Sequence, residues 1–149
     1  MRAGRVYMPG GFTSLCLRFP RQMRGLAKPL MPFITQDGRV LSCLIISPPG
    51  MGKTTLLRDV ILTLSGEKKV CVADERAELY GGGAFDLGPR TDVIYGCPKA
   101  FALSMALRAL SPEVAATDEI GGEGDLAAIR ESANCGVALV ATAHGGSLD

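Results

Sequence analysis

The sequence predicts an α/β fold in which a mainly parallel β-sheet is covered by helices on both faces. From residue 40 onward, short apolar stretches alternate with segments of helical periodicity, a pattern typical of parallel sheets. A glycine-rich loop, SPPGMGKTT, follows the first predicted strand, and an acidic pair follows the third. Because parallel sheets bind their ligands beyond the carboxyl ends of the strands, both features are expected at one edge.

The first 39 residues are predicted to precede this sheet as a separate small region. Strands are predicted at residues 4–8 and 12–19, because apolar and polar residues alternate in the second of them, and a hairpin is expected to join the two. A helix is predicted from Pro20 to just before Pro29, because a helix does not accommodate proline in its interior. Asp37 and Gly38 are predicted to make the turn into the sheet.

Residues 40–149 are predicted to form the core of the domain. Its strands are expected at residues 40–46, 69–73, 113–117 and 137–142. Its helices are expected at residues 53–64, 98–110 and 124–134. A long glycine-rich loop covers residues 75–97 and includes a short strand at residues 92–95.

Composition favours one globular domain, with 47% hydrophobic and 21% charged residues. The apolar runs are far shorter than the ~18 residues that suggest a bilayer span, and no apolar signal segment follows Met1. The five cysteines form no C-x-x-C pair, so we expect reduced thiols and a cytoplasmic protein.

Charge is divided unevenly along the chain. Residues 1–39 hold seven basic residues and one acid, whereas residues 40–149 hold nine basic residues and fourteen acids. The basic segment is either a contact surface for nucleic acid, acidic lipid or a neighbouring subunit, or simply a solvated face. Only Phe19 lies near its central arginines, so the segment offers no stacking platform and direct nucleic-acid binding is not expected.

The loop SPPGMGKTT fits the phosphate-loop pattern G-x-x-x-x-G-K-[ST], with Ser47 in place of the first glycine. Lys53 is expected to reach the β- and γ-phosphates of a nucleoside triphosphate, and the Thr54 hydroxyl to ligate Mg²⁺. The predicted cofactors are therefore ATP and Mg²⁺. The predicted nucleotide-binding residues are Pro49, Gly50, Met51, Gly52, Lys53, Thr54 and Thr55.

The acidic pair at the end of the third strand supplies the carboxylates that a P-loop NTPase site needs besides its phosphate loop. Asp118 is predicted to hold the Mg²⁺ with Thr54, and Glu119 to orient or deprotonate the attacking water. A glutamate directly after the aspartate resembles the additional-strand group of P-loop NTPases. That resemblance implies that the fourth strand lies between the first and the third, giving the order 1-4-3-2.

Other polar residues follow strands two and four. Thr142 and His144 are predicted to lie beside the γ-phosphate. Glu75, with Asp74 and Arg76 next to it, either contacts attacking water, Mg²⁺ or a neighbour's nucleotide, or serves as a buried ion pair or loop cap. The predicted catalytic residues are Lys53, Glu75, Arg90, Glu119 and His144.

Arg90 lies in the long loop after strand two. An arginine in a mobile loop is able to neutralise charge on the transferred phosphoryl group, as arginine fingers do. The sequence leaves open whether Arg90 acts on its own nucleotide or across a subunit interface.

The chain resembles the stage III sporulation protein AA family, which is itself similar to the ATPases of type II, type IV and pilus secretion systems. The resemblance is carried by the segments FTSLCLRFPRQMRG, SPPGMGKTTLLRD, DERAE, RTDVIYGCPKA, TDEIG and ATAHGGSL. It implies that Asp74 and Glu75 match the acidic box of secretion ATPases and that His144 matches their histidine box. It also implies that residues 1–39 are the remnant of a longer N-terminal region and that residues 40–149 are an ATPase core truncated at its C-terminus.

On this resemblance the protein is an ATPase that energises or gates a sporulation channel at the forespore membrane. A homo-oligomer, hexameric in the family, is expected on the mother-cell side, peripheral to the membrane and in contact with membrane-embedded channel proteins. Two alternatives stay open: a nucleic-acid-associated P-loop motor or regulator, and a nucleotide-binding scaffold without turnover.

Overall fold

The computed structural model describes residues 21–145 of the chain. The hairpin predicted at residues 4–8 and 12–19 lies outside the described residues. The helices are α1 (Met31–Ile34), α2 (Lys53–Leu64), α3 (Lys99–Ala109) and α4 (Glu123–Asn134), with one 3₁₀ turn at Gly81–Gly83. The strands are β1 (Thr35–Gln36), β2 (Arg39–Val40), β3 (Cys43–Ser47), β4 (Val70–Asp74), β5 (Thr91–Tyr95), β6 (Val114–Thr117) and β7 (Ala138–His144).

Five parallel strands form the main sheet, in the order β3-β7-β6-β4-β5. β7 lies between the phosphate-loop strand β3 and the acidic strand β6, so the predicted order 1-4-3-2 is confirmed. β5, predicted as a short strand in the long loop, adds a fifth strand beside β4. All five carboxyl ends therefore meet at one edge of the sheet.

Successive strand residues point to opposite sides of the sheet, and the central strands β4 and β6 are buried on both faces. One face packs against α2, where Leu57 and Ile61 contact a layer that includes Val72. The other face packs against α3 and α4, where Leu103 and Ala128 cover the smaller side chains of that side. The chain thus builds the three-layer α/β fold that the sequence predicts.

The helix predicted between Pro20 and Pro29 is wrong. Residues 24–30 form bends and turns, and the short helix α1 starts only after them. Gly25 has φ of +87°, which a right-handed helix excludes. The buried carboxylate of Asp59 in α2 accepts the N–H groups of Gly25, at 3.1 Å, and Ala27, at 2.7 Å, and so holds this segment in an irregular path.

The first predicted strand is divided in two. Its beginning forms β2, which pairs with β1 in a small antiparallel hairpin, and only β3 joins the main sheet. Asp37 and Gly38 form the hairpin turn as predicted, with φ of +49° and +73°. Two positive φ values in succession are what a type I′ hairpin turn requires.

Helix α2 has the predicted bounds, and α3 and α4 begin and end within one residue of theirs. The four described cysteines are free, and burial raises the pKa of the Cys71 thiol to about 11. None of the helices between residues 21 and 145 has the length and apolar character needed to cross a bilayer.

Candidate functional site

The phosphate loop connects β3 to α2 at the carboxyl edge of the sheet. Gly50 and Gly52 have φ of +80° and +85°, a region that favours glycine. No atom lies within 4 Å of where a Cβ would stand at either position, so backbone conformation rather than crowding demands glycine there. No described side chain caps α2, which leaves the N–H groups of its first turn available to an anion.

Lys53 is the first residue of α2, and its side chain turns back into the loop. Although the residue is only 8% exposed, its partners are neutral groups. Nζ donates to the carbonyl oxygens of Ser47, at 2.7 Å, and Pro48, at 3.0 Å, and lies 3.1 Å from His144 Nδ1. These contacts satisfy the hydrogen bonds of the ammonium without neutralising it, so its charge remains available to a phosphate.

Asp118 joins the phosphate-loop helix to the end of β7. Its carboxylate accepts the Thr54 hydroxyl at 3.0 Å and, on its other oxygen, the hydroxyl of the buried Thr142. A hydroxyl and a carboxylate are the hard oxygen ligands that Mg²⁺ prefers, and Mg²⁺ commonly takes only one or two carboxylates besides substrate phosphates. Thr54 and Asp118 therefore fit the predicted magnesium site, although residues 21–145 contain no cluster of three or more ligating His, Cys, Asp or Glu side chains.

The His144 side chain lies between Glu119 and Lys53 of the phosphate loop and contacts both. One carboxylate oxygen lies 2.8 Å from His144 Nε2, and the other lies 3.2 Å from the Arg76 guanidinium. His144 Nδ1 faces the ammonium of Lys53, a group that can only donate, so Nδ1 is the acceptor in that contact. The His144 side chain thus lies in contact with both Lys53 and Glu119.

A small polar cavity lies next to Glu119 and continues toward the end of β4. It has a volume of about 40 Å³, and Glu75, Arg76 and Lys99 contribute to its walls. A cavity of this size and polarity has room for water. Glu75 also accepts the backbone N–H of Lys99 at 3.3 Å, so it lies at the start of α3 beside this cavity.

Asp74 caps the loop that follows β4. The residue is 2% exposed, and its two carboxylate oxygens accept the N–H groups of Glu78, at 2.9 Å, and Tyr80, at 2.8 Å. Of the alternatives that the sequence left open for this acidic segment, the structure gives Asp74 the role of a loop cap.

Arg58 holds the same loop from α2. It is 5% exposed, donates to the carbonyl oxygens of Glu78, at 2.6 Å, and Leu79, at 3.2 Å, and lies over the Phe85 ring at 4.0 Å. Burial lowers the pKa of Arg58, and nearby carboxylates, Asp118 first among them, oppose that shift. Sequence reasoning missed Arg58, because nothing in its local pattern shows that its partners lie twenty or more residues away.

Replacing Asp74 with alanine should destabilise the fold without abolishing ATP binding. The substitution leaves two N–H groups without an acceptor, at a cost of about 1–3 kcal/mol each. Chemical unfolding and ATP titration of the same protein measure the two effects, with the exposed Asp92→Asn as the control. Normal stability combined with lost Mg²⁺-dependent binding would instead make Asp74 part of the metal site.

Arg90 lies away from the other predicted site residues. Its guanidinium donates to the Glu67 carbonyl at 2.8 Å, and its own carbonyl accepts the N–H of Val70 at the start of β4. These contacts place it at the amino edge of the sheet, opposite the phosphate loop. The structure therefore does not bring Arg90 to the site of its own chain.

The comparisons with known proteins agree with this fold. A family described as "Sporulation stage III, protein AA" matches residues 6–149. Stage III sporulation protein AA of Bacillus subtilis is 41% identical over an alignment that covers 98% of this chain and 53% of that protein. The Arabidopsis thaliana protein SEEDLING PLASTID DEVELOPMENT 1 is 34% identical, with 91% of this chain and 20% of that protein covered. The chain thus spans about half the length of the Bacillus relative, and less of the plant one.

Two solved secretion ATPases share the fold. The VirB11 ATPase of the Brucella suis type IV secretion system, solved in complex with sulphate, aligns with a TM-score of 0.60 at 19% identity, over 72% of this chain and 31% of that one. The Legionella pneumophila ATPase DotB aligns with a TM-score of 0.59 at 20% identity, over 81% and 34%. At such identities the likeness concerns the fold.

Proposed function

Because the chain belongs to the sporulation stage III, protein AA family, we propose that its phosphate-loop site binds ATP with Mg²⁺ and hydrolyses it. One observation carries the proposal. Lys53 begins α2, whereas Asp118 and Glu119 follow β6, yet contacts through Thr54 and through His144 at the end of β7 bring them together at one edge of the sheet.

Binding rests on the loop and the start of α2. The free N–H groups of the first helical turn and the unneutralised ammonium of Lys53 complement the negative charge of a triphosphate. Thr54 and Asp118 would hold Mg²⁺, which when bound neutralises charge on the phosphates. Glycine at positions 50 and 52 keeps the backbone open enough for phosphate to approach it.

Hydrolysis rests on Glu119. As a water oxygen bonds to the γ-phosphorus and the bond to ADP breaks, the water proton passes to the Glu119 carboxylate. His144 and Arg76 hold that carboxylate from two sides. His144, which contacts both Lys53 and Glu119, is positioned to respond to the presence of the γ-phosphate.

The assembled state and its partners follow from the family. We propose a homo-oligomer, hexameric by resemblance, that works on the mother-cell side of the forespore membrane with membrane-embedded channel proteins. Since Arg90 lies at the opposite edge of the sheet, a role in hydrolysis would require it to act on a nucleotide bound by a neighbouring subunit.

An ATPase assay at several protein concentrations, with mass measured in parallel, tests the proposal. We expect Mg²⁺-dependent phosphate release whose rate per chain rises as the chain assembles. Bound ATP without turnover at any concentration would make the chain a nucleotide-binding scaffold. Salt-sensitive binding of single-stranded nucleic acid that stimulates turnover would favour the nucleic-acid motor.

A further inference from the structure

The turn after β6 is held by the ammonium of Lys99, the first residue of α3. Lys99 Nζ lies 3.2 Å from the Asp118 carbonyl oxygen, contacts the Glu119 carbonyl oxygen, and lies 3.7 Å from Asp125 Oδ2. Its side chain is 17% exposed. An ammonium has three N–H donors, and here three oxygens of the same turn and the next helix surround it.

Nothing in α3 itself explains a lysine at this position. A positive charge in the first turn of a helix is unfavourable, because the helix macrodipole is positive there. The backbone N–H of Lys99 is satisfied by Glu75 at 3.3 Å. The interactions that favour lysine are therefore those that its side chain makes with the turn after β6.

That turn contains an uncommon backbone conformation. Glu119 has φ of +47°, in the left-handed region that residues with a Cβ rarely adopt. Such a conformation persists only when surrounding groups hold it in place. In this conformation the Glu119 N–H donates to Thr142 Oγ1 at 2.8 Å and the carboxylate lies against His144.

Asp125 closes the turn from its other end. Its Oδ2 accepts the N–H groups of Gly121, at 3.0 Å, and Gly122, at 3.1 Å, at the start of α4. The same oxygen lies near Lys99 Nζ. The lysine and the aspartate thus form one brace that spans the peptide groups on both sides of Glu119.

We propose that Lys99 is a positioning residue for Glu119. Its ammonium holds the two carbonyl groups of Asp118 and Glu119, which keeps Glu119 in the left-handed conformation and its carboxylate in line with the attacking water. The inference rests on the proposed hydrolysis, in which Glu119 takes the proton. Because the N–H donors of Lys99 face oxygens of this chain, Lys99 acts through Glu119 and not on the phosphate.

The test compares Lys99→Met with Lys99→Arg and with the control Lys69→Met. Lys69 Nζ also donates to a backbone carbonyl, that of Leu110 at 2.5 Å, but at the opposite edge of the sheet. Three quantities are measured in each protein: ATP affinity, kcat, and hydrogen exchange of the Glu119 and Ile120 amides. The Ile120 N–H donates to the Thr142 carbonyl at 2.8 Å, so both amides report on the turn.

Lys99→Met should lower kcat by roughly 10- to 100-fold, since a misplacement of about 1 Å has an effect of that order. ATP affinity should stay unchanged, and the Glu119 and Ile120 amides should exchange faster by about tenfold or more, because the turn opens more easily. Lys99→Arg should recover part of kcat, and Lys69→Met should change none of the three quantities.

A double variant separates positioning from a direct role. Lys99→Met combined with Glu119→Gln should be no slower than Glu119→Gln alone, because the lysine acts only through that carboxylate. A slower double variant, or unchanged amide exchange in Lys99→Met, would overturn the inference. If Lys99→Met does not fold, Asp125→Asn weakens the same brace and provides the same readouts.

Hydrogen exchange also keeps this inference distinguishable from the proposed function. If the wild-type chain does not hydrolyse ATP but Lys99→Met still accelerates exchange of the Glu119 and Ile120 amides, hydrolysis fails and the brace stands. If hydrolysis occurs and exchange is unaffected, the brace fails and the proposed function stands.

Discussion

Glu119→Gln should lower ATP turnover by roughly 10²- to 10⁴-fold while leaving ATP affinity unchanged, which is the range that a positioned general base contributes. The amide keeps the size of the carboxylate but cannot take a proton from water. Glu119 contacts His144 at 2.8 Å, and His144 in turn contacts Lys53 of the phosphate loop. Single-turnover hydrolysis and equilibrium titration of ATP measure the two effects separately.

Glu67→Gln is the matched control for this variant. Glu67 is an exposed glutamate at the amino edge of the sheet, so its neutralisation changes net charge by the same amount away from the site. Equal turnover by Glu119→Gln and wild type would remove Glu119 from the role of base. A loss of ATP affinity equal to the loss of turnover would make Glu119 a binding residue instead.

Lys53→Ala should weaken ATP binding by about 30-fold or more, corresponding to the roughly 2 kcal/mol or more that removal of a buried charged partner costs. The substitution removes the ammonium that faces the phosphates. It also removes the donor to the Ser47 and Pro48 carbonyl oxygens that shapes the loop. Titration of ATP into the variant measures the loss.

Lys68→Ala controls for the change in net charge, because Lys68 pairs with Glu113 at 3.1 Å at the amino edge of the sheet. Thermal unfolding shows whether Lys53→Ala remains folded. Unchanged affinity in folded Lys53→Ala would rule out the assignment of SPPGMGKTT as the nucleotide site.

The sheet was predictable because its strands are buried on both faces. Strands such as VCVAD and VAAT read as continuous apolar runs that end on an acidic residue or lead directly to one, and their alternation with helical segments specifies parallel pairing. The prediction of the strand order was less direct, because it rested on one residue, the glutamate that follows Asp118. The phosphate loop and the acidic pair were predictable because each is a short motif, and the residue spacing within it is set by local backbone chemistry.

The supporting contacts were not predictable, because they join residues far apart in the chain. Lys99 reaches Asp118 and Glu119 only after α3 packs against the sheet, and Asp59 fixes residues 25–27 only after α2 forms. The helix predicted after Pro20 failed for this reason, since local periodicity does not register a carboxylate on another element.

Arg90 shows how the direction in which a strand pairs decides the position of a side chain. β5 begins at Thr91, so Arg90 immediately precedes a strand that runs parallel to β4. A residue just before a parallel strand lies at the amino edge of the sheet, whereas the site lies at the carboxyl edge. The sequence predicted a strand at residues 92–95 but not how it pairs with β4, and so it left the edge undetermined.

The most direct test of the nucleotide site is a calorimetric titration of the wild-type chain with ATP and with AMP, each with and without Mg²⁺. The loop, Lys53 and the Thr54 and Asp118 pair all face the phosphates, so we expect one ATP per chain, tighter binding with Mg²⁺, and much weaker binding of AMP. No ATP binding, or equal affinity for AMP in the presence of Mg²⁺, would contradict a phosphate-loop nucleotide site.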